Sequence, residues 1–368
     1  MIISFDSGKV ETTGGGSAGL LQQKKVTVTE NGLDVVVPDA GYDGLSTVYV
    51  KTAVGDGGSS FKDFSVIGYD DMTSIALNQE IDDDIAYSKS LYDAWNPENT
   101  SAFKLYYNDK TLVYAPLIDV SNVTNANAML GNCIKLRYVP KYNFNSIQLA
   151  SELFLNCGNL FSLDLSSWDT GKLKECSRIC SGCRNLETVD VTGWDLSNFT
   201  GSTDSWFYGC GNLVQIKGIE NWFLPKLTSL YYLFNGCTSL TSLNLSNWGI
   251  NSLENFTSTF YGCSKLVSLD ISSWNLVNVT KTLQAFYNCK ELTNLQFGYD
   301  IKYSFGLLSS TKLTVESLLS VLNGLYDFTG NQQTPTSSMG NLTLGSTNLA
   351  KLTDEQKAIA TDKGWTLS

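Results

Sequence analysis

The 368-residue chain contains no histidine and has fewer basic than acidic residues. Without histidine, the chain cannot carry a histidine general base, a Ser-His-Asp or Cys-His nucleophile pair, or a His-containing zinc site. The 25 lysines and arginines are outnumbered by 36 aspartates and glutamates, which gives a net charge of −11. Because nucleic-acid binding depends on basic side chains that neutralise phosphates, we expect no nucleic-acid partner. Carboxylate or metal-carboxylate chemistry stays open at this point.

Long apolar runs and a secretory leader are also missing from the sequence. No apolar stretch approaches the roughly 18 residues that a membrane-spanning helix requires, so we expect no membrane partner. The opening MIISFDSGKVETTGGGSAG has neither a basic start nor an apolar core, which argues against a signal peptide. The nine cysteines are an odd number and cannot all pair within the chain. The hydrophobic fraction of 42% is enough for a packed core.

What the sequence does contain is a repeat with a period near 26 residues. Seven cysteines recur at spacings of 24, 26, 27, 27, 26 and 26, and five tryptophans recur at spacings of 26, 28, 26 and 26. These repeat-core residues are Cys133, Cys157, Cys183, Cys210, Cys237, Cys263 and Cys289, with Trp168, Trp194, Trp222, Trp248 and Trp274. Two unrelated residue types that keep the same period over this length indicate a repeat architecture.

Each repeat unit has a compact half and an extended half. In one unit the letters F-Y-G-C end at Cys263, the letters L-D-I span 269–271, and Trp274 follows. The alternating aliphatic residues predict a short strand, whereas the segment that ends at cysteine predicts a helical turn or a short 3₁₀ piece. A single unit of this size cannot bury its own aromatic and aliphatic side chains, so the pattern predicts stacked units.

The combination of F-x-x-C, L-x-x-L-x-L-S-x-W and a 26-residue period resembles the BspA-like leucine-rich repeats, which also occur in mycoplasma surface lipoproteins. The resemblance covers residues 119–300 and implies an α/β repeat solenoid, a stack with short strands and short helical turns. Units at both ends lack the tryptophan, at Leu136–Pro140 and Phe297–Asp300, and such atypical units suit capping positions. One extra residue within Ile216–Ile219 predicts a local bulge.

The cysteines and tryptophans can each be interpreted in two ways. Cys176, Cys180 and Cys183 are closely spaced and could form a metal or redox centre, although a fourth ligand would have to come from elsewhere. Alternatively, each cysteine is a small buried hydrophobe, one per unit, and this is the interpretation we favour. Exposed tryptophans at a fixed repeat position could bind sugars, but we favour packing in the core. No metal or cofactor is therefore expected.

A row of polar residues is predicted on the strands. Asp164, Asp190, Asn244 and Asp270 each lie between two aliphatic residues, so their side chains must face away from the core. They form a candidate open-face row. One interpretation is a cation or ligand site; the other, which we favour, is a solvated face of hydrogen-bonded Asn, Asp and Ser.

The residues before the repeats differ in composition. Residues 1–24 are rich in glycine and serine and predict a linker or docking arm. Strands are predicted at 25–28, 34–37 and 45–50, with a turn at Asn31-Gly32. The pattern V-T-E-N-G…P-D-x-G-Y-D-G-x-S-x-V-x-V is similar to small β modules in tail-associated and fibre-like proteins of phages of gut bacteria.

The residues after the repeats predict a helical cap. Thr314 is the expected N-cap of an amphipathic helix over 314–322. Thr353 and Gln356 form an expected capping box, and Gly364 is the expected stop of that helix. The predicted domains are an N-terminal arm and β module at 1–60, an N-terminal cap of the solenoid at 61–118, the repeats at 119–300 and a C-terminal cap at 301–368.

These features support two hypotheses about function. The first is a non-enzymatic phage virion structural protein, such as a fibre, decoration or tail-associated subunit. It would dock on other virion proteins through residues 1–56 and present the repeat surface to a host-surface protein or glycan. Such a protein assembles in the host cytoplasm without an export signal, and fibres are commonly symmetric multimers, so we expect a homo-oligomer in the virion.

The alternative is an adhesin with the same repeats on the bacterial cell surface. The missing export signal and the ladder of unpaired cysteines argue against it. We predict that the protein is not an enzyme, because the sequence contains no nucleotide-binding loop, no metal-ligand spacing and no catalytic triad.

Overall fold

A computed structural model of the chain describes residues 10–12, 23–28, 33–38 and 79–368. It divides into two compact units. One comprises Met1–Asn96 together with Tyr114–Ile118 and Val139–Lys141. The other comprises Pro97–Val113, Asp119–Tyr138 and Tyr142–Ser368, and it contains the repeats.

The described residues of the first unit form a small antiparallel sheet and a helix. Its strands are β1 (Val10–Thr12), β2 (Gln23–Val28) and β3 (Leu33–Pro38), in the order β1-β2-β3. The strands predicted at 25–28 and 34–37 are therefore confirmed, with Val26 opposite Val35. The predicted Asn31-Gly32 turn and the strand at 45–50 lie outside the described residues. Helix α1 spans Gln79–Asp93 within the segment predicted as a cap.

Each of six repeat units in the second compact unit contributes one three-residue strand. The strands are β4 (Ser162–Asp164), β5 (Thr188–Asp190), β6 (Gln215–Lys217), β7 (Ser242–Asn244), β8 (Ser268–Asp270) and β9 (Asn294–Gln296). They form two parallel sheets, β4-β5-β6 and β7-β8-β9. The central aliphatic residues pair in register, as in Leu243 with Leu269 and Leu269 with Leu295. These central residues are buried, which agrees with the short strand that the L-x-L pattern predicts.

The predicted bulge near Ile216 is wrong. Strand β6 pairs in register with β5, so it contains no extra residue. The extra residue is accommodated after the strand, where Gly218 adopts a left-handed backbone with φ of 85° and a 3₁₀ turn follows at Ile219–Asn221. Glycine tolerates this conformation because it has no Cβ. Strands β6 and β7 belong to different sheets, so the strand pairing is interrupted at this place.

The helical pieces predicted before each cysteine are not helices in the described repeat units. This segment consists of consecutive tight turns, with left-handed backbone at the fifth and first residues before the cysteine. Before Cys157 these residues are Glu152, with φ of 60°, and Asn156, with φ of 56°. An α- or 3₁₀-helix needs right-handed backbone throughout, so these two positions exclude it.

The turns pair with those of the following unit through alternate backbone groups. The N–H groups of Ala150, Glu152, Phe154 and Asn156 donate to the carbonyls of Glu175, Ser177, Ile179 and Ser181, at 2.9, 2.9, 2.8 and 2.7 Å. We call this repeated pairing the turn ladder. It begins at Ser101, which pairs with Asn125, and therefore inside the segment 61–118 that was predicted as a cap.

The C-terminal segment adds a third parallel sheet and three helices. Its elements are β10 (Phe305–Gly306), α2 (Val315–Asn323), β11 (Asn341–Thr343), α3 (Gly345–Leu349), α4 (Asp354–Thr361) and β12 (Thr366–Leu367). Both predicted N-caps are confirmed: Thr314 accepts from the N–H of Ser317, and Thr353 forms a capping box with Gln356. Helix α4 ends three residues before Gly364. No helix in the described part of the chain is long and apolar enough to cross a bilayer.

Helix α2 covers the last strand of the repeats. The Ser317 hydroxyl accepts a hydrogen bond from the N–H of Leu295 at 2.9 Å and donates to the carbonyl of Thr293 at 2.9 Å. One turn further along, the Ser320 hydroxyl accepts from the N–H of Phe297 at 2.9 Å. These serines satisfy the strand-edge groups that a further repeat would otherwise bind.

Candidate functional site

The repeat cysteines form a column in the interior. All nine cysteines are free and buried. Each thiol of the seven repeat cysteines donates to a backbone carbonyl of the preceding unit, as Cys263 does to Phe234 at 3.2 Å. The other six pairs are Cys133 to Tyr106, Cys157 to Leu130, Cys183 to Phe154, Cys210 to Cys180, Cys237 to Phe207 and Cys289 to Phe260, at 3.0–3.1 Å. The carbonyl of Phe234 also accepts from the N–H of Cys237, so both of its lone pairs are occupied.

Burial removes the chemical reactivity of these thiols. It raises the pKa of Cys133, Cys210 and Cys289 to about 12. A thiol must lose its proton to act as a nucleophile or a metal ligand, so these groups are inert near neutral pH. Cys176 and Cys180 are fully buried as well, and burial raises their pKa too. Among the described residues, no group of three or more Cys, Asp or Glu is placed to hold a metal ion.

The repeat tryptophans form a second buried column. Trp168, Trp194, Trp222, Trp248 and Trp274 follow one another with ring centroids 5.5–5.9 Å apart. The indole N–H of Trp248 donates to the carbonyl of Ile219 at 2.8 Å. None of the five is more than 6% exposed. Their faces contact other protein rings and have no room for a sugar.

The candidate open-face row is turned toward its own backbone. The carboxylates of Asp164, Asp190 and Asp270 and the amide oxygen of Asn244 each accept from the N–H two residues later, at 3.0–3.1 Å. Lys217 follows in the same row, with its ammonium 3.8 Å from the carboxylate of Asp190. In β4, β5, β7 and β8 these Asx turns engage one oxygen of each side chain. The structure places the row on the strand face, where Asp164 pairs with Asp190 and Asn244 pairs with Asp270 in two different sheets.

A different surface, on the turns, carries tyrosines that are exposed or half-buried. Tyr208, Tyr231, Tyr232, Tyr261 and Tyr287 lie on the turns that end at Cys210, Cys237, Cys263 and Cys289. We call these five residues the tyrosine patch. Tyr208 is 44% exposed and Tyr287 is 49% exposed. Sequence reasoning missed this surface, although aligning the units on their cysteines would have placed Tyr208, Tyr261 and Tyr287 at one repeat position, two residues before cysteine.

The rings of the tyrosine patch hold one another in place. Tyr231 and Tyr232 meet edge to face with centroids 4.1 Å apart, and Tyr208 contacts Tyr232 at 5.8 Å. Tyr261 and Tyr287 stack at 5.2 Å. A hydrogen bond with Tyr232 raises the pKa of Tyr231, so the Tyr231 phenol is neutral near pH 7. Such contacts reduce the freedom that a ligand would otherwise have to remove.

Charge is nearly absent from these turns. Asp204 is the one charged residue in the six positions before the four cysteines of the patch. The turns that end at Cys133, Cys157 and Cys183 contain no tyrosine. There Glu152 and Arg178 form an ion pair at 2.8 Å. The patch is therefore local to one end of the array and is not a property of every unit.

A shallow cleft between β9 and α2 is the other concave feature described. Its volume is ≈ 500 Å³, and its wall includes Gln296, Tyr299, Glu316 and Asn323. Ser320 at its floor already accepts from the N–H of Phe297. The cleft is open to solvent and its serine is engaged in capping the repeats.

The units share a repeat period, in-register strands and the turn ladder, and their repeat cysteines and tryptophans are buried. The family model described as "Mycoplasma protein of unknown function, DUF285" matches residues 100–215 and 202–304, which together exceed half of the chain. The chain belongs to this family. No curated protein and no solved structure matches it.

Proposed function

We propose that the chain is a non-enzymatic binding scaffold, an α/β solenoid of BspA-like leucine-rich repeats that presents its turn surface to a partner. The in-register units support the solenoid because each residue type recurs next to its own kind across units. The burial of all nine thiols supports a structural part for the cysteines. A scaffold needs an exposed surface and a rigid core, and the chain has both.

The tyrosine patch is the observation that carries this proposal. Tyrosine presents a large apolar ring and one hydroxyl while losing little conformational freedom, which is why it dominates antibody binding loops together with serine, glycine and asparagine. The patch combines its five tyrosines with Ser205, Gly209 and Asn288 on the same turns. This composition favours a folded protein as the partner.

The setting we propose is a phage virion, where the chain is a fibre, decoration or tail-associated subunit. Residues 1–56 would dock on other virion proteins, and the repeats would contact a protein of the host surface. The similarity of the N-terminal segment to phage β modules supports this, as does the antiparallel pairing of β1, β2 and β3. The alternative is a bacterial surface adhesin, which the family supports because its description names Mycoplasma, a cellular source.

The tyrosine patch can be tested by binding of the fluorescently labelled full chain to host cells. We expect the double variant Tyr208→Ser, Tyr287→Ser to lose binding, while Tyr299→Ser, a similarly exposed tyrosine outside the patch, binds as the wild type does. Pretreating the cells with protease should abolish binding. Loss after periodate instead would identify a glycan, and equal binding by all three chains would refute the patch.

The virion setting is tested separately. Peptide mass spectrometry of purified particles should detect this chain at a stoichiometric level. Deleting residues 1–56 should release it from the particles while the repeats stay folded. Absence of the full chain from purified particles would contradict the virion setting. Incorporation of the truncated chain would contradict the proposal that residues 1–56 dock on other virion proteins.

A further inference from the structure

The turn ladder has two unequal ends. In the unit spanning 97–113, the N–H groups of Ala102, Lys104, Tyr106 and Asn108 donate to carbonyls of the next unit at 2.7–3.0 Å. The same direction of donation is kept in each later unit up to the turn that ends at Cys263. Every unit therefore offers carbonyls toward the N-terminal end and N–H groups toward the C-terminal end.

At the N-terminal end the acceptors are left over. The carbonyls of Ser101, Phe103, Leu105 and Tyr107 occupy the ladder's acceptor positions but receive no hydrogen bond from any described residue. The side chains of these residues are exposed: Phe103 is 54% exposed and Leu105 is 38% exposed. We call these four residues the N-edge. The ammonium of Lys104 lies over the rings of Phe103 and Tyr107, at 5.3 and 5.1 Å from their centroids.

At the C-terminal end the donors are left over. The N–H groups of Thr282, Gln284, Phe286 and Asn288 meet no acceptor within the described part of the chain. One unit earlier, the equivalent groups of Phe256, Ser258, Phe260 and Gly262 all donate, at 2.7–2.9 Å. We call 282–288 the C-edge. Phe286 is buried, whereas Leu283 is 69% exposed.

The C-terminal cap forms different hydrogen bonds with the strand side and the turn side of the last unit. Ser317 and Ser320 of α2 satisfy the N–H groups on the strand side. On the turn side, the Thr282 hydroxyl donates to the carbonyl of Ser304, but no described group of the cap accepts from the backbone N–H groups of Thr282, Gln284, Phe286 and Asn288. Unpaired backbone groups beside exposed apolar side chains are a template for pairing with another chain.

We propose that the N-edge of one copy of this chain binds the C-edge of a second copy, head to tail. The chemistry of the two edges is complementary, because one offers a row of carbonyls and the other a row of N–H groups at the same two-residue spacing. Two N-edges, or two C-edges, would oppose like groups. Phe103 and Leu105 on one side and Leu283 on the other supply apolar surface to bury.

This association is heterologous, so it has no built-in limit of two. A head-to-tail contact yields open filaments unless the rotation between copies closes a ring. The net charge of −11 opposes assembly, so self-association should strengthen as salt screens that charge. The inference does not rest on the proposed host-binding function and specifies which surfaces would form the homo-oligomer expected from the sequence.

Sedimentation velocity of the full-length chain tests the proposal with two edge variants. Leu105→Glu alters only the N-edge and Leu283→Glu alters only the C-edge, and both side chains are exposed in the monomer. The wild type should form dimers and longer species as concentration rises. Each variant alone should lose every species faster than the monomer, whereas Val214→Glu, a control at an exposed valine elsewhere, should assemble as the wild type does.

Mixing the two variants gives the decisive result. An equimolar mixture retains one intact N-edge and one intact C-edge per pair, so it should form dimers and nothing longer. A mixture that stays monomeric overturns the proposal, and so does a wild type that stays monomeric at high concentration and high salt. Circular dichroism of each variant checks that the fold is intact, and failure here leaves the tyrosine patch untouched as a binding surface.

Discussion

The strand side and the turn side of the repeats respond differently to irregularity. On the strand side, one extra residue near Gly218 separates two sheets of three strands. On the turn side, the ladder continues past the same unit, because Ser205, Phe207 and Gly209 still donate to the next turn at 2.7–3.0 Å. Backbone pairing between units is thus continuous on the turn side at this place, whereas the pairing of the three-residue strands is interrupted.

The same two sides also differ in what they leave available to a partner. On the strand face, four of the six repeat strands end in an Asx turn that engages one side-chain oxygen, as Asp270 does with the N–H of Ser272. The turn side has its thiols and phenylalanines inside and its tyrosines outside. The polar residues of the strand face are thus engaged with their own backbone, whereas aromatic residues of the turn side are exposed.

Alkaline pH should have the largest effect on the free energy of unfolding, because it ionises the buried thiols of the turn side. Burial raises the pKa of the thiols in the folded chain, to about 12 for Cys210, against an ordinary value of 9.0. Their folded pKa is raised, so the stability they contribute is complete below about pH 9 and is lost as pH rises toward 12. In that window, each such thiol lowers the free energy of unfolding by about 1.4 kcal/mol per pH unit.

Urea unfolding from pH 7 to pH 11 measures this effect. Because several thiols act together, the free energy of unfolding should fall steeply between pH 9 and pH 11. Cys263→Ala removes one such thiol and should reduce the slope of stability with pH. A free energy of unfolding that is unchanged between pH 9 and pH 11 would contradict the buried cysteine column.

Removing a ring from the core of the turn side should have the next largest effect. Phe234 is fully buried and stacks between Phe207 and Phe260, with centroids 5.9 and 5.7 Å away. Phe234→Ala leaves a cavity and should lower the free energy of unfolding by about 3–5 kcal/mol. Chemical denaturation measures it, and Tyr208→Ala is the exposed control. Equal losses for both variants would show that the phenylalanine column is not the core.

Loss of a helix cap outside the repeats should cost less than the loss of a core ring. In Thr353→Ala, the N–H of Gln356 loses its acceptor at 3.2 Å and the capping box is broken. We expect a loss of about 1 kcal/mol in thermal or urea unfolding. Thr353→Ser keeps the acceptor and should recover most of it. A Ser variant as unstable as the Ala variant would assign the effect to the methyl group instead.

The smallest effect should be on the strand face. Asp270→Asn keeps the oxygen that accepts from Ser272, as Asn244 does in the neighbouring unit. Stability should change by less than about 0.5 kcal/mol. Calcium should not shift the melting temperature of either chain. A calcium-dependent rise that is present in the wild type and lost in the variant would restore the cation interpretation of this row.

The sequence predicted features with local or periodic signals. The L-x-L strands follow from alternation, and the caps at Thr314 and Thr353 follow from residue types with known hydrogen bonds. The inward cysteines and tryptophans follow from their period. The BspA-like solenoid and the virion setting remain predictions.

The turn ladder could not be predicted from the sequence for a physical reason. The left-handed position directly before each cysteine is Gly or Asn, but the other one is occupied by residues such as Glu152, Tyr232 and Ser258, which have no strong preference for that backbone. The conformation is imposed by pairing with the neighbouring units, so no single unit reveals it. The tyrosine patch was missed because it lies in only some of the units.

Hydrogen exchange resolved to single amides tests the turn ladder most directly. The account predicts slow exchange, in one cooperative class, for the ladder amides of Phe256, Ser258 and Gly262. The equivalent amides of Gln284 and Asn288 at the C-edge should exchange much faster in the monomer and become protected when copies associate. Fast exchange at Phe256, Ser258 and Gly262, with protection confined to the strands, would contradict the claim that the hydrogen bonds of the turn ladder connect successive units.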